Sequence, residues 1–242
     1  MRQSLQPTTD RPEPRTTAGP PPTTVPLRRL FAACLGVAAL GSVIWVALQP
    51  PFPEGYDARL AAIDEAGTGA AISAFLFTAS QLPWLAAVVG IAWLAHRGSS
   101  RFAAVGGTLA VLGGFGHAVF GGAMLVTVLM ARDVADRPVM AELLETIESS
   151  PLLIPFMAAG LLGTVLGLLL LGVALWRSRV VPRWVPLVLW AFLVVEFVGS
   201  NLSEYATYLS SVCLLLSFGA LAQRLWTPDV TQPDRAEAPS RA

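Results

Sequence analysis

The chain has 242 residues, of which 54% are hydrophobic and only 13% are charged, and its formal net charge is zero. Soluble domains carry about 25% charged residues, so this composition leaves too little polar surface to cover a water-soluble core. A net charge of zero also gives no electrostatic reason to expect nucleic-acid binding, because such binding uses an excess of basic side chains to neutralise the phosphates. The composition therefore predicts an integral membrane protein whose principal partner is the lipid bilayer.

The two ends of the chain differ in composition from the segment between them. Residues 1–28 are rich in proline, threonine and arginine, and residues 227–242 are similarly polar. Segments with so few large apolar side chains cannot offset the entropy lost on folding. The sequence predicts two disordered cytoplasmic tails that flank one membrane domain, residues 29–226.

Six apolar blocks of the membrane domain are long enough to cross a bilayer as helices, which takes about 20 residues. Because every backbone polar group must be paired inside lipid, the predicted fold is an all-α bundle of about six spans. The predicted spans are Arg29–Leu48, Ile72–Ala95, Phe102–Met130, Leu152–Trp176, Trp184–Gly199 and Tyr205–Leu225. The polar residues 200–204 favour a tight hairpin between the last two spans over a single re-entrant element.

Arginine is distributed unequally between alternate segments, and it supplies all sixteen basic residues. Thirteen arginines fall in the N-terminal tail, the 96–101 and 177–183 loops, and the C-terminal segment from Arg224 onward. The alternate segments contain Arg59, Arg132 and Arg137. Because arginine-rich loops are retained in the cytoplasm, this distribution predicts that both termini are cytoplasmic.

The two long loops on the opposite, outer side are acidic. They comprise residues 49–71 and 131–151. In the second loop, apolar residues recur at helical spacing after Pro138, a residue that suits a first helical turn. This pattern predicts a short amphipathic helix on the outer surface. The acidic side chains are interpreted either as a solvated face or as a vestibule that attracts cations.

Small residues recur at every fourth position of the third span. They are Gly106, Ala110, Gly114, Ala118 and Gly122. A ridge of small residues lets another helix approach closely. A shorter series in the fourth span, Ala159, Gly163 and Gly167, is the predicted partner. This pattern indicates helix packing and carries no chemistry.

Three polar residues lie within the predicted spans and are the candidate binding residues: Gln81, His117 and Glu196. An ionisable group inside a membrane is costly and is a functional candidate by default. Each also has a structural interpretation. His117 would be a neutral residue at a helix interface, and Glu196 a solvated acid in a short span. Gln81 would mark a kink, since Pro83 removes the backbone donor for Ala79.

No motif in the sequence predicts a catalytic residue, a cofactor or a metal site. Phosphate-binding loops, His-Glu-x-x-His, Cys-x-x-Cys, Gly-x-Ser-x-Gly and dinucleotide fingerprints are all missing. The favoured function is binding or transport of a small solute or ion. The alternative is a structural or accessory subunit that uses its small-residue ridges on a membrane-protein partner or a second copy. A lipid-modifying enzyme would need His117 and Glu196 as an acid–base pair.

With the spans in place, residues 28–226 resemble the uncharacterised six-span integral membrane proteins of GC-rich bacteria, a domain-of-unknown-function group. The resemblance rests on the span count, the acidic segment after Gln49-Pro50-Pro51, and the stretch Gly113-Gly114-Phe115-Gly116-His117. It implies a multi-pass protein of the bacterial plasma membrane. It implies no catalytic residue and no substrate.

Overall fold

The structure is a computed structural model that describes residues 24–96, 98–203 and 205–227. Within those ranges it is all helical and contains no strand, which confirms the predicted fold class. The helices are α1 Thr24–Leu48, α2 Tyr56–Ala66, α3 Thr68–Ala95, α4 Ser100–Ala131, α5 Arg137–Glu148, α6 Ile154–Ser178, α7 Trp184–Phe197 and α8 Tyr205–Trp226. Most of the two predicted tails, 1–28 and 227–242, lies outside the described residues.

Six of the described helices are long and apolar enough to cross a membrane: α1, α3, α4, α6, α8, and α7 with the 3-10 turn Gly199–Asn201. Their outward faces carry large apolar side chains such as Leu82, which is 76% exposed, and Leu129, which is 65% exposed. Soluble monomers rarely expose continuous apolar surface, whereas a bilayer covers it. The predicted number of spans is confirmed, and the protein is a multi-pass membrane protein.

The helix boundaries differ from the predicted spans by a few residues. The first span begins at Thr24 instead of Arg29, and Pro26 lies in its first turn. A first turn accommodates proline because its backbone N–H groups have no intrahelical acceptor. The polar stretch 200–204 does separate the last two spans: α7 ends at Phe197, and a 3-10 turn precedes α8.

The six spans form a ring in the order α1, α3, α4, α6, α7 and α8, and α8 contacts α1 again. The contact between α4 and α6 is the most extensive, and that between α6 and α7 is the least extensive of the neighbouring pairs. We call the two ends of the bundle by their composition. The arginine-rich end comprises 24–30, 96, 98–101, 177–183 and 224–227, and the acidic end comprises 49–67 and 132–153.

A buried apolar cluster fills the ring in the half nearest the arginine-rich end. Its fully buried members include Leu35, Val88, Ile91, Leu171, Leu189, Phe218 and Leu221. In a lipid phase such a cluster is held by close van der Waals packing, since lipid tails are as apolar as leucine. The arginine-rich half is therefore closed.

Glycines carry the contact between α4 and α6, and only part of the predicted four-residue series takes part in it: Gly106 and Ala110 on α4, and Gly163 and Gly167 on α6. Gly106, Gly113 and Gly116 of α4 approach Gly167, Gly163 and Gly160 of α6, respectively, so closely that an added Cβ would meet backbone atoms.

The five predicted ridge positions have different surroundings in the structure. Gly106 and Ala110 lie against α6, whereas a Cβ on Gly114 would meet Trp84 and Leu85 of α3. Ala118 is half-buried, and a Cβ on Gly122 would meet open space. The reason is geometric. A step of four residues advances about 400° around a helix with about 3.6 residues per turn, so the ridge rotates by about 40° at each step.

Candidate binding cavity

A cavity of about 560 Å³ lies inside the ring, in the half nearest the acidic end. All six spans contribute to its wall, and Glu148 at the end of α5 lines it as well. Sites that enclose small organic molecules typically have volumes of about 300–1,000 Å³. The buried cluster closes the cavity toward the arginine-rich end, so it is a chamber rather than a continuous channel.

The three polar residues singled out from the sequence line this one cavity. Gln81 comes from α3, His117 from α4 and Glu196 from α7, so their proximity depends on the ring and not on local sequence. The structure thus brings all three together around a shared space. Their role as ligand-binding residues stays a prediction.

Gln81 lies in the middle of α3, two residues before Pro83, and its side chain is buried. Its amide nitrogen donates a hydrogen bond of 2.9 Å to the Phe77 carbonyl oxygen, and the Ser80 hydroxyl donates to the same oxygen at 2.8 Å. The side-chain carbonyl oxygen of Gln81 accepts no hydrogen bond from the described residues. Gln81 therefore offers an acceptor to the cavity.

Glu196 lies in the last turn of α7, and a neighbouring helix holds its carboxylate. The Ser210 hydroxyl of α8 donates a hydrogen bond to Oε2 of Glu196. Within the described ranges, no arginine or histidine forms an ion pair with this carboxylate. A cation placed beside a buried carboxyl group stabilises its ionised form, so this position suits a cationic ligand.

His117 is directed into the ring by the contacts on either side of it. Gly113 packs on α6 and Gly121 packs on α3, so the face of α4 between those two contacts borders the cavity. The imidazole meets the Phe77 ring edge to face, with 6.0 Å between ring centroids. It makes no hydrogen bond to any residue that the structure describes, Glu196 included. The acid–base pair that a lipid-modifying enzyme would need is not in direct contact.

Aromatic side chains form much of the cavity wall, a feature that the sequence analysis did not identify. They are Trp45, Phe77, Trp84, Phe120, Phe192 and Phe197. The sequence did contain a signal: aromatic residues occur three or four positions from each predicted polar residue, at Phe77, Trp84, Phe120 and Phe192. Residues at that spacing share one face of a helix. The polar residue and its aromatic neighbours therefore face the ring together.

The tryptophans contribute ring surface to the cavity rather than hydrogen-bond donors. The indole nitrogens of Trp45 and Trp84 are covered by protein and have no hydrogen-bond partner among the described residues. The Trp84 nitrogen lies beside Gly114, on the α4 side. Since an indole nitrogen only donates hydrogen bonds and both are covered, these two side chains offer a ligand apolar ring surface.

Two short helices cover the acidic end of the bundle. The predicted amphipathic helix after Pro138 is present as α5, and it packs against α2, which the sequence analysis did not predict. Arg59 of α2 makes two hydrogen bonds, of 2.6 and 3.2 Å, to Glu148 of α5. Arg137 of α5 contacts Asp64 of α2 at 2.8 Å. The two pairs fix α2 and α5 antiparallel to each other, and they compensate two of the acidic charges.

The arrangement as a whole suits the binding of an organic molecule. An aromatic and aliphatic wall accommodates an apolar body, while Gln81, Glu196 and His117 provide polar contacts that would orient it. No protein-family model, curated protein or solved structure matches this chain.

Proposed function

We propose that the protein binds a small organic molecule in this cavity and acts as a binding or transport protein for small solutes. The observation that supports this proposal is the convergence of Gln81, His117 and Glu196, from three spans, on one chamber of about 560 Å³. Polar groups left without partners inside a membrane cost several kcal/mol each. A ligand that paired with them would offset that cost.

We further propose a bacterial plasma membrane as the location, with both termini in the cytoplasm. The unequal distribution of arginine supports this orientation. The resemblance to six-span bacterial membrane proteins supports the location and stays a proposal. In this orientation the cavity lies in the outer half of the membrane, and the buried cluster separates it from the cytoplasm. Transport across the membrane would require that cluster to open.

The alternative function is a structural or accessory subunit. It was based on small-residue ridges that a partner helix, from a membrane protein or a second copy, would cover. Gly106, Gly113 and Gly116 are instead occupied by α6 of the same chain. The ridge therefore accounts for packing inside the protein, and small-molecule binding is the better-supported function.

The experiment uses the purified protein in lipid nanodiscs and three ligands that share one apolar chain: decylamine, decanol and decanoate. Native mass spectrometry counts the molecules retained by each protein. Ala158 lines the cavity on α6, so Ala158→Trp should place an indole ring inside it and block retention. Leu162 lies on the outward face of the same helix and is 55% exposed. Leu162→Trp is therefore the matched control, and it should retain the ligand.

Retention of the same number of molecules by both tryptophan variants would show that these ligands occupy lipid sites on the protein surface. Absence of retention by the wild-type protein for all three ligands would also count against the proposal. Retention that is lost only in Ala158→Trp locates the ligand in the cavity.

A further inference from the structure

We infer that the ligand of this cavity is a lipophilic organic cation, an apolar body that carries an ammonium or a comparable cationic centre. The inference rests on the proposed binding function and specifies the chemical class of the ligand. Three features of the cavity carry it: its charge balance, its aromatic surface and the boundary between α6 and α7.

The charge balance of the wall favours a cation. Two carboxylates and one imidazole line the cavity, and no arginine of the described chain does so. The Glu148 charge is compensated by the bidentate contact with Arg59, whereas the Glu196 carboxyl group accepts a hydrogen bond from the neutral Ser210 hydroxyl and has no cationic partner among the described residues. A cation bound beside Glu196 would stabilise its ionised form, and their attraction would be stronger there than in water.

Two hydrogen-bond acceptors of the wall also suit a cation. The Gln81 amide nitrogen is bound to Phe77 and the indole nitrogens of Trp45 and Trp84 are covered, so the donors left to a ligand are the His117 imidazole and hydroxyl groups of the wall. The Gln81 carbonyl oxygen and the Glu196 carboxylate are acceptors. They would receive hydrogen bonds from an ammonium group or stabilise its charge.

The aromatic surface surrounds this acceptor set. Phe192 lies four residues before Glu196 and Phe197 follows it, and both rings line the cavity together with the Glu196 side chain. Phe77 and Trp45 form a second pair, with ring centroids 4.9 Å apart. Aromatic faces attract organic cations through their quadrupole, and combinations of aromatic rings with an acid are typical of quaternary ammonium sites.

The contact between α6 and α7 is the least extensive one between neighbouring spans. Gly172 of α6 receives Trp190 of α7, whose indole nitrogen also donates to the Leu169 carbonyl oxygen at 3.3 Å. Trp176 stacks on the same Trp190 ring. These contacts all lie in the half nearest the arginine-rich end, and they close the boundary between the two helices there.

The face of α6 that carries Gly172 continues into the other half of the ring, where it forms part of the cavity wall. Ile154, Met157, Ala158 and Leu161 repeat at intervals of three and four residues, in register with Val165, Leu168 and Gly172. Met157 is 42% exposed and Leu161 is 47% exposed, although both line the cavity. No hydrogen bond or ring contact joins α6 to α7 in this half among the described residues, so this boundary is the proposed entry to the cavity from the hydrocarbon phase of the bilayer. A ligand that entered there would have to dissolve in lipid, hence a lipophilic cation.

The test compares three ions with the protein in phosphatidylcholine nanodiscs, and empty nanodiscs provide the baseline. Tetraphenylphosphonium and tetraphenylborate have nearly the same shape and opposite charge, while tetramethylammonium is a cation without an apolar body. Equilibrium dialysis should show that tetraphenylphosphonium binds at least about tenfold more tightly than either of the other ions, a difference of about 1.4 kcal/mol. Ala158→Trp should abolish this binding, and Leu162→Trp should preserve it.

Two substitutions assign the selectivity to named residues. Glu196→Gln keeps the acceptor for Ser210 and removes the charge, so it should weaken tetraphenylphosphonium binding about tenfold, whereas Glu196→Asp should retain the preference for the cation. Glu142, an exposed acid of α5 outside the cavity, provides the matched control as Glu142→Gln. Phe197→Leu should weaken cation binding about threefold and leave borate binding unchanged. This variant gives a second measurement if Glu196→Gln does not fold.

The outcomes separate this inference from the proposed function. Equal binding of tetraphenylphosphonium and tetraphenylborate, blocked by Ala158→Trp, would overturn the cation inference and leave the binding cavity intact. Selectivity that survives both Glu196→Gln and Phe197→Leu would overturn it as well. The cation inference would also be contradicted if neither ion binds, or if Ala158→Trp leaves ion binding unchanged. In either case the binding cavity stands if the decyl ligands still occupy it, and both proposals fail if they do not.

Discussion

The two halves of the ring are built from the same six helices and differ in how their side chains complement one another. In the half nearest the arginine-rich end, large and small residues are matched: Trp190 fits on Gly172, and Phe31 fits on Gly90. In the other half, Trp45, Phe192 and Phe197 face inward and border a cavity. Complementary sizes close one half, and unmatched aromatic residues leave the other open.

The cavity is a local feature, because the helices beside it remain closely packed. The contact between α4 and α6 remains tight alongside the cavity, at Gly116 and Gly160. The contact between α6 and α7 is the least extensive one between neighbouring spans, and the stacking of Trp190 on Trp176 lies in the half nearest the arginine-rich end. Interiors of folded proteins are close-packed, so a cavity of this size with polar groups on its wall is a feature that requires an explanation.

The largest expected effect concerns which side of the membrane each half faces. A reporter that is active only in the cytoplasm should be active when fused after Ala242 and inactive when inserted within 138–148. The arginine-rich end would be held in the cytoplasm by its positive charge. The reverse pattern of activity would place the cavity in the cytoplasmic half and remove the proposed access from the outer leaflet.

The next effect tests the tight contact that borders the cavity. Gly163→Leu should destabilise the protein by about 3 kcal/mol or more, because an added Cβ would lie 2.6 Å from the backbone nitrogen of Gly113, and backbone cannot move aside cheaply. Gly114→Leu should cost about 1–3 kcal/mol, since its Cβ would meet the movable side chains of Trp84 and Leu85.

Leu112→Ala is the control for both glycine variants, because Leu112 is on the outward face of α4 and 49% exposed. Thermal unfolding in mild detergent ranks the stabilities of the three variants. Equal melting temperatures for Gly163→Leu and Leu112→Ala would mean that the α4–α6 crossing is not a tight contact.

The spans could be predicted from the sequence because a bilayer imposes length and hydropathy on each of them separately. The small-residue partners could be predicted only in part. A four-residue repeat can be recognised in the sequence. The glycines of α4 that contact α6 backbone, Gly106, Gly113 and Gly116, are instead spaced by seven and three residues. The short helix α2 was missed because its sequence, YDARLAAIDEA, has no strong apolar face.

The individual residues of the candidate site could be predicted from the sequence, whereas the cavity that they line could not. Gln81, His117 and Glu196 stand out because polar groups are rare in spans. Their convergence depends on the ring order of the helices, which no local pattern specifies. The compensation of Glu148 by Arg59 is likewise a contact between segments 89 positions apart.

A smaller effect on stability is expected from the ion pair between Arg59 and Glu148 at the acidic end. Glu148→Gln should lower the free energy of unfolding by about 1 kcal/mol, because it removes a partly buried bidentate ion pair that joins α5 to α2. The exchange Arg59→Glu with Glu148→Arg should recover part of that loss. Glu142→Gln, at an exposed site of the same helix, should have no measurable effect. Thermal unfolding that is identical for Glu148→Gln and Glu142→Gln would mean that the ion pair does not fasten the end of the bundle.

The smallest expected effect is the coupling between His117 and Glu196. They line one cavity without a hydrogen bond between them, so the stability changes of His117→Gln and Glu196→Gln should add to within about 0.5 kcal/mol. The positive control is the pair that is in contact: Ser210→Ala combined with Glu196→Gln should show a coupling of about 1 kcal/mol, because the hydroxyl donates to the carboxylate. Both cycles are measured by thermal unfolding of the ligand-free protein in the same detergent. A coupling between His117 and Glu196 as large as that of the control would mean that the two groups interact directly or through one bound water. The cavity would then contain an acid–base pair, and the charge available to a cation would be shared with the imidazole.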